Sequence, residues 1–395
     1  MNKRISLLAT LLVIFSINIP LKARTLNETA VEILKSSPGY KYDTYSLEST
    51  AKNLATESNL PDPELGGEYL VMPSDVDNRW AVELTWSLEW PGVYGARSKE
   101  ADFKLSAAEK ELMAKRAERL AEIKDLLLDF IRTKQKLILL EELAQNNDSI
   151  YKLAENAARG GEMTVLDLNK VRLEYANIKV AEATLIDELA EIVASINQIY
   201  GSDCGSLLSD MDCVFPQITL PSNEELQLIK KNAPPVQAAQ AKVQAAKESK
   251  KVAKMEALPA ISFGYKHAFE DAMHFNGAVL GVSIPIFSSR GKQKAADAEI
   301  LAAEYDVEAA SLEIESEAMA TVRRLEIITG QINEIAPIIE NADYNAALLK
   351  AYKGGAITLI EYISDRNYFT NAAIELVSLR HNAAKAMAFL QRYLY

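Results

Sequence analysis

Apolar and polar residues alternate strictly from Trp80 to Trp90, where every second residue is large and apolar. Three other stretches show the same two-residue period, one of them more weakly. Alternation over this length is typical of a β-strand with one apolar face. The pattern predicts four amphipathic strands, at about 64–72, 79–90, 259–269 and 275–287.

A helical period governs the longer stretches between these strands. Ala, Leu, Glu and Lys are the main residues from about 94 to 159, with no proline, which predicts a helix of roughly 97 Å. A second long helix is predicted at about 291–353, with a kink expected at Pro337. Apolar residues also recur near every 3.5 positions, as in a coiled-coil seam. They are Leu185, Leu189, Ile192, Ile196 and Ile199, and then Leu325, Ile328, Ile332, Ile335 and Ile339.

The chain contains two copies of one unit, offset by about 194 residues. Gly160-Gly161 follows Pro91 at the same distance at which Gly354-Gly355 follows Pro285, and similar residues come after each glycine pair. Each unit is predicted to have two strands, a very long helix, a glycine tip and a returning helix. Repeat 1 is predicted at 24–200, with its tip at 159–164 and its return helix at 164–200. A linker is predicted at 201–225. Repeat 2 is predicted at 226–395, with its tip at 353–357 and its return helix at 358–394.

Composition then excludes several classes of function. The net charge of the 395 residues is −12, which argues against a nucleic-acid binder. Three histidines and two cysteines are too few and too scattered for a zinc cluster. There is no Gly-rich phosphate loop and no convergent acid, base and nucleophile. We therefore predict no catalytic residues, no metal, no cofactor and no enzymatic activity.

The N-terminus predicts export. Residues 1–23 have a basic start and an apolar run of the length found in signal peptides, with cleavage expected after Ala23. A membrane anchor is the alternative, although the run is shorter than the roughly 20 residues that span a bilayer.

The strands suggest a membrane rather than a soluble sheet. They are about 10 residues long, which suits a tilted membrane strand. Trp80, Trp86 and Trp90 are the three tryptophans of the chain and fall on one face of one strand, like the aromatic girdles of outer-membrane barrels. A half-buried sheet in a soluble domain also alternates. Four strands cannot close a barrel, so a membrane location requires an oligomer, and three copies would supply 12 strands.

Taken together, these features resemble the outer-membrane efflux protein family, the TolC-like channel components of tripartite pumps. The resemblance rests on the double repeat, the strand pairs that end at Pro91 and Pro285, and the glycine tips with an acid six residues later (Asp167 and Glu361). It implies a mainly α-helical homotrimer in the outer membrane of a Gram-negative bacterium. The trimer would combine a 12-strand transmembrane β-barrel with a long α-barrel in the periplasm.

The resemblance also implies where a gate would lie. The glycine tips match the periplasmic end, Asp167 and Glu361 lie just inside the returning helices, and Tyr352 matches the position of a gate tyrosine. Some relatives carry an arginine two residues after the second glycine, where this chain has Ile357. Capping of a helix N-terminus is the other interpretation of the two acids.

The implied partners are a periplasmic membrane-fusion adaptor, an inner-membrane pump of the proton-driven RND or ABC type, and outer-membrane lipid. The implied function is a passive exit duct for an efflux pump or a type I secretion system, with the cargo undetermined. A poreless coiled-coil protein of the envelope is the alternative. In an oxidising periplasm we expect a local disulfide between Cys204 and Cys213, with two free thiols as the alternative.

Overall fold

The computed structural model describes residues 24–73, 77–340 and 344–393, without the side chains of 145–149. The predicted signal peptide at 1–23 lies outside the described residues. The molecule is mostly helical with one small antiparallel sheet, which confirms the predicted fold class at that level.

The first half of the chain contains the longest helix. Pro91 begins that helix because its fixed φ and missing N–H suit the first helical position. Trp90, which was predicted to end the second strand, is instead the residue that precedes the helix. The elements of this half are α1 Leu26–Ser36, α2 Pro38–Thr56, β1 Glu64–Leu70, β2 Arg79–Leu88, α3 Pro91–Arg159 and α4 Val165–Tyr200.

The second half follows the same order after a short linker. Pro337 lies inside the long helix of this half, which remains helical as far as Glu340. The elements are α5 Gly205–Ser209, α6 Asn223–Asn232, α7 Pro234–Met255, β3 Ala260–Glu270, β4 Met273–Ser283, α8 Lys292–Glu340, α9 Tyr344–Lys353, α10 Leu359–Leu390 and a final 3₁₀ turn at Gln391–Tyr393.

The four strands form one sheet in chain order, β1-β2-β3-β4, with every pair antiparallel. The central pair joins the two halves of the chain, since β2 pairs with β3 and Leu84 lies opposite Tyr265. Among the described strands, β1 and β4 are the edges, and each has one partner.

The helices pack along their length rather than around one centre. The largest buried cluster lies at the middle of α3, where Ile123, Leu127 and Ile131 are almost fully buried. The end of α4, α1 and the linker after Tyr200 pack against this part of α3. Within the part of the chain that the structure describes, no helix is both long and apolar enough to cross a bilayer.

Candidate functional site

The two glycine tips have the same backbone geometry. In each pair the second glycine has a positive φ, +77° at Gly161 and +73° at Gly355, and the first does not. The next N–H reaches back to the helix at each tip, with Glu162 N donating to Ala157 O at 2.9 Å and Ala356 N to Ala351 O at 2.9 Å. A left-handed glycine of this kind ends a helix and reverses the chain.

The N-cap threonines of the helices that return from the tips bond the two predicted gate acids. Thr164 accepts a hydrogen bond from the N–H of Asp167 at 3.1 Å, and Thr358 accepts one from the N–H of Glu361 at 3.2 Å. The Glu361 carboxylate in turn accepts from the backbone N–H of Thr358 at 2.8 Å, which completes a capping box. Each acid therefore has a structural role in its helix.

Hydrogen bonds also keep both carboxylates ionised. Bonds from the Thr164 hydroxyl and from Lys170 lower the pKa of Asp167, and bonds from the Thr358 backbone and hydroxyl lower the pKa of Glu361. Glu361 is exposed to solvent, and the Asp167 side chain is partly exposed, at 28%. Each tip thus presents a negative charge to the solvent.

Tyr352 packs inside the second tip. Its ring stacks on Tyr362 of α10 with the centroids 5.3 Å apart, and the Arg366 guanidinium lies 5.8 Å from the Tyr362 ring. The sequence indicates Tyr352 through the family resemblance but gives no direct sign of Tyr362 or Arg366. The repeat could have indicated Arg366, because Arg172 occupies the equivalent position after the first tip.

The sheet has one apolar and one polar face, as the alternation predicts. Strand register places most of the large apolar residues of the four strands on the same side, and most of these are exposed in the single chain. Leu280 is 81% exposed. The exposed members of this face are Leu65, Tyr69, Val82, Leu84, Ile261, Phe263, Tyr265, Leu280 and Val282.

The opposite face is mostly polar or small, apart from Leu70, Phe275 and Val279. Glu83 of β2 lies opposite Lys266 of β3, with the charged atoms 3.9 Å apart. Glu64 and Glu68 of β1 and two glycines of β4, Gly277 and Gly281, share this side. Such a face suits contact with water rather than with lipid.

The three tryptophans occupy different environments. Trp80 lies at one end of the apolar face, within 6.3 Å of the rings of His267, Phe269 and His274. Trp86 contacts Phe263 and donates its indole N–H to the carbonyl of Pro61 at 2.7 Å. Trp90 is 44% exposed at the junction with α3. Whether they meet lipid as a girdle stays a prediction.

The cysteines are free thiols in the structure, so the expected disulfide is not formed there. The Sγ atom of Cys213 points to the carbonyl oxygen of Met211 at 3.8 Å, whereas Cys204 is fully buried in the core cluster of the linker. Burial raises the pKa of both thiols and makes them less reactive. Among the described residues, no group of three His, Cys, Asp or Glu could hold a metal ion.

No family model and no curated protein sequence matches this chain. Several solved structures do match it. A membrane protein from Pseudomonas aeruginosa superposes with a TM-score of 0.78 at 14% identity, over 93% of this chain and 90% of that one. The CmeC outer-membrane channel of Campylobacter jejuni superposes at 0.75 and 14% identity, over 93% and 85%. The open MtrE outer-membrane channel of Neisseria gonorrhoeae gives 0.76 and 14%, over 93% and 88%.

The chain has the outer-membrane channel fold. The superpositions cover both repeats, the sheet and the helices together, which confirms the resemblance at the level of the fold. In this channel fold the sheet lies at one end of the long helices and the glycine tips lie at the other.

Proposed function

We propose that this chain forms a homotrimeric exit duct in the outer membrane of a Gram-negative bacterium. The observation that carries the proposal is the four-stranded sheet, which has an exposed apolar face, a polar face and two edge strands. An edge in lipid leaves backbone groups without hydrogen bonds, at a cost of several kcal/mol each. Pairing of β1 with β4 of the next copy would remove every edge and give 12 strands around a polar lumen.

Exposed seams on two long helices support the same assembly. On α4, Leu166, Leu173 and Val180 recur every seven residues and are all exposed. On α8, Tyr305, Leu312 and Met319 do the same. Residues at this spacing cover one another when two helices pack as a coiled coil. In the proposed trimer, the α4 seam of one copy packs on the α8 seam of its neighbour and closes the helical tube.

The tips would form the periplasmic gate of this tube. Threefold symmetry turns Asp167 and Glu361 into two rings of three carboxylates, and six negative charges raise the local concentration of cations. Tyr352 would set the position of the second tip through its stack on Tyr362. Because position 357 is isoleucine, we assign no salt bridge to it.

The duct is passive and not an enzyme, so its energy comes from partners. The partners that the channel fold implies are a periplasmic membrane-fusion adaptor and an inner-membrane pump of the RND or ABC type. The solved neighbours are described as outer-membrane channels, which supports a channel over the envelope coiled-coil alternative. That alternative also leaves the exposed apolar face of the sheet without a purpose.

Reconstitution tests this function directly. The purified full chain should run as a heat-modifiable trimer and conduct ions across a planar lipid bilayer. Leu312→Glu places a charge in the α8 seam and should abolish both the trimer and the conductance, while Ser311→Glu, one residue away, should leave both intact. A monomer that stays soluble without detergent would reject the proposal.

A further inference from the structure

A cavity of about 400 Å³ lies beside the second tip, between α3, α9 and α10. This volume falls within the range of small-molecule sites. Its walls are mainly aliphatic and aromatic, with Tyr344 stacked on Phe369 at 4.6 Å beside it. The apolar and aromatic lining residues are Leu139, Leu143, Ile150, Leu349, Tyr362 and Phe369.

One buried cation lines this apolar cavity. Arg366 is only 4% exposed, and its Nη2 donates to the carbonyl of Leu143 at 3.1 Å. Burial lowers the pKa of Arg366, because the charged guanidinium has lost most of its water. Lys353 and Glu142 also line the cavity, so its described lining contains two cationic groups and one acid in a chain that is acidic overall.

The internal repeat offers a comparison within the same molecule. Arg172 has the same place after the first tip, but its side chain is 50% exposed and pairs with Glu155 at 3.5 Å. Its charge is therefore hydrated, whereas the Arg366 guanidinium is buried at a cavity with mainly apolar walls, where Tyr362 bonds it and Glu142 attracts it. A guanidinium in such a setting forms strong, oriented bonds with a planar anion, because water competes poorly there.

We propose that this cavity binds an amphiphilic organic anion, a carboxylate or sulfonate on a compact apolar body, with the anionic group at Arg366. The apolar body would lie against Phe369, Leu349 and Ile150. The inference goes beyond the exit duct, since it concerns a ligand held in the wall near the tip and not the cargo in the lumen.

Two dyes that differ by one charged group test the proposal. Anilinonaphthalene sulfonate has a flat aromatic body and a sulfonate, and phenylnaphthylamine is the same body without the charge. Fluorescence titration of the trimer in amphipol should show saturable binding of the sulfonate. Arg366→Met should weaken this binding at least tenfold and leave the neutral dye unchanged, and Arg172→Met should change neither.

A second variant covers the case in which Arg366→Met fails to fold. Ala346 is exposed at the rim of the cavity, so Ala346→Trp can block the entrance without crowding the core. It should abolish saturable sulfonate binding while the trimer still runs normally on a gel. The proposal is overturned if the wild-type trimer shows no saturable binding, or if either variant binds the sulfonate as the wild type does. Because the trimer is checked on a gel and no conductance is measured, a failure of dye binding can be told apart from a failure of the duct function.

Discussion

At the scale of single residues, the second glycine of each tip is fixed by backbone geometry. A side chain at φ +77° is strained, although nothing lies within 4 Å of a Cβ placed at Gly161. We expect Gly161→Ala to lower the free energy of unfolding by about 1 kcal/mol. Gly160→Ala is the matched control, because its φ of −77° suits alanine. Chemical denaturation of the two variants should differ, and equal stabilities would contradict this explanation.

The acids of the tips have two roles that one experiment can separate. Asp167→Asn and Glu361→Gln retain a side-chain oxygen that can accept a hydrogen bond at the helix N-terminus, but they remove the charge. We expect the double variant to fold as a trimer and to lose part of its cation preference in single-channel recordings. An unchanged preference would show that the two carboxylates only support the N-caps of their helices.

The role of a tip residue could be predicted from the sequence only where its neighbours in the chain determine that role. The glycine pairs and the Thr-to-acid spacing follow from such rules and could be read directly. Arg172 and Arg366 could not be told apart, because they share one repeat position and differ only in the helices that surround them. The burial of Arg366 depends on segments that are distant in the sequence. Its guanidinium donates to the carbonyl of Leu143 in α3, which is 223 residues away.

At the scale of whole elements, the two faces of the sheet predict opposite responses to charge. Leu280 and Val279 are neighbours in β4 that point to opposite faces, with Leu280 on the apolar one. Leu280→Arg should destabilise the protein in lipid by about 2–4 kcal/mol, the cost of arginine at the middle of a bilayer. Val279→Arg should cost much less, since its face would meet water. Folding into lipid vesicles measures the difference, and equal costs would exclude lipid contact at Leu280.

The period of the apolar residues predicts helices and strands well, but it does not show which part of the molecule packs on an apolar stripe of a helix. The predicted seam residues Ile192 and Ile196 are buried within the chain against α3. The stripe of Leu166, Leu173 and Val180 on the same helix has the same spacing, yet it is exposed in the single chain. The sequence alone cannot distinguish the two, because the difference lies in which helix, from which copy, packs alongside.

At the scale of the whole molecule, an ionic network joins the two repeats where the sheet meets the helices. Arg97 of the first repeat pairs with Glu89 of its own repeat and with Glu256 of the second at 2.7 Å. Lys292 reaches the same Glu256 at 2.6 Å. None of these pairs could be predicted from the sequence, since Arg97 and Glu256 are 159 residues apart. The network holds both long helices at the same end of the sheet.

This junction predicts a dependence of stability on pH. Burial raises the pKa of Glu256, but the hydrogen bonds from Lys292 and Arg97 outweigh it and hold that pKa below its ordinary value. A carboxyl with a lowered folded-state pKa stabilises the fold above its unfolded pKa of about 4.3, and this stability is lost as the pH falls through the folded pKa. Glu256→Gln should therefore destabilise the trimer at pH 7 and reduce its loss of stability below about pH 4.5.

The control for this prediction is an acid of the same type outside the network. Glu48 is exposed, and its ion pair among the described residues is with Lys52, one turn along its own helix. Such surface pairs contribute little to stability. Glu48→Gln should therefore leave the pH profile of thermal unfolding close to that of the wild type. If Glu256→Gln and Glu48→Gln gave the same profile, the ionic network would not contribute to joining the two repeats, and the pairing of β2 with β3 would hold them together without it.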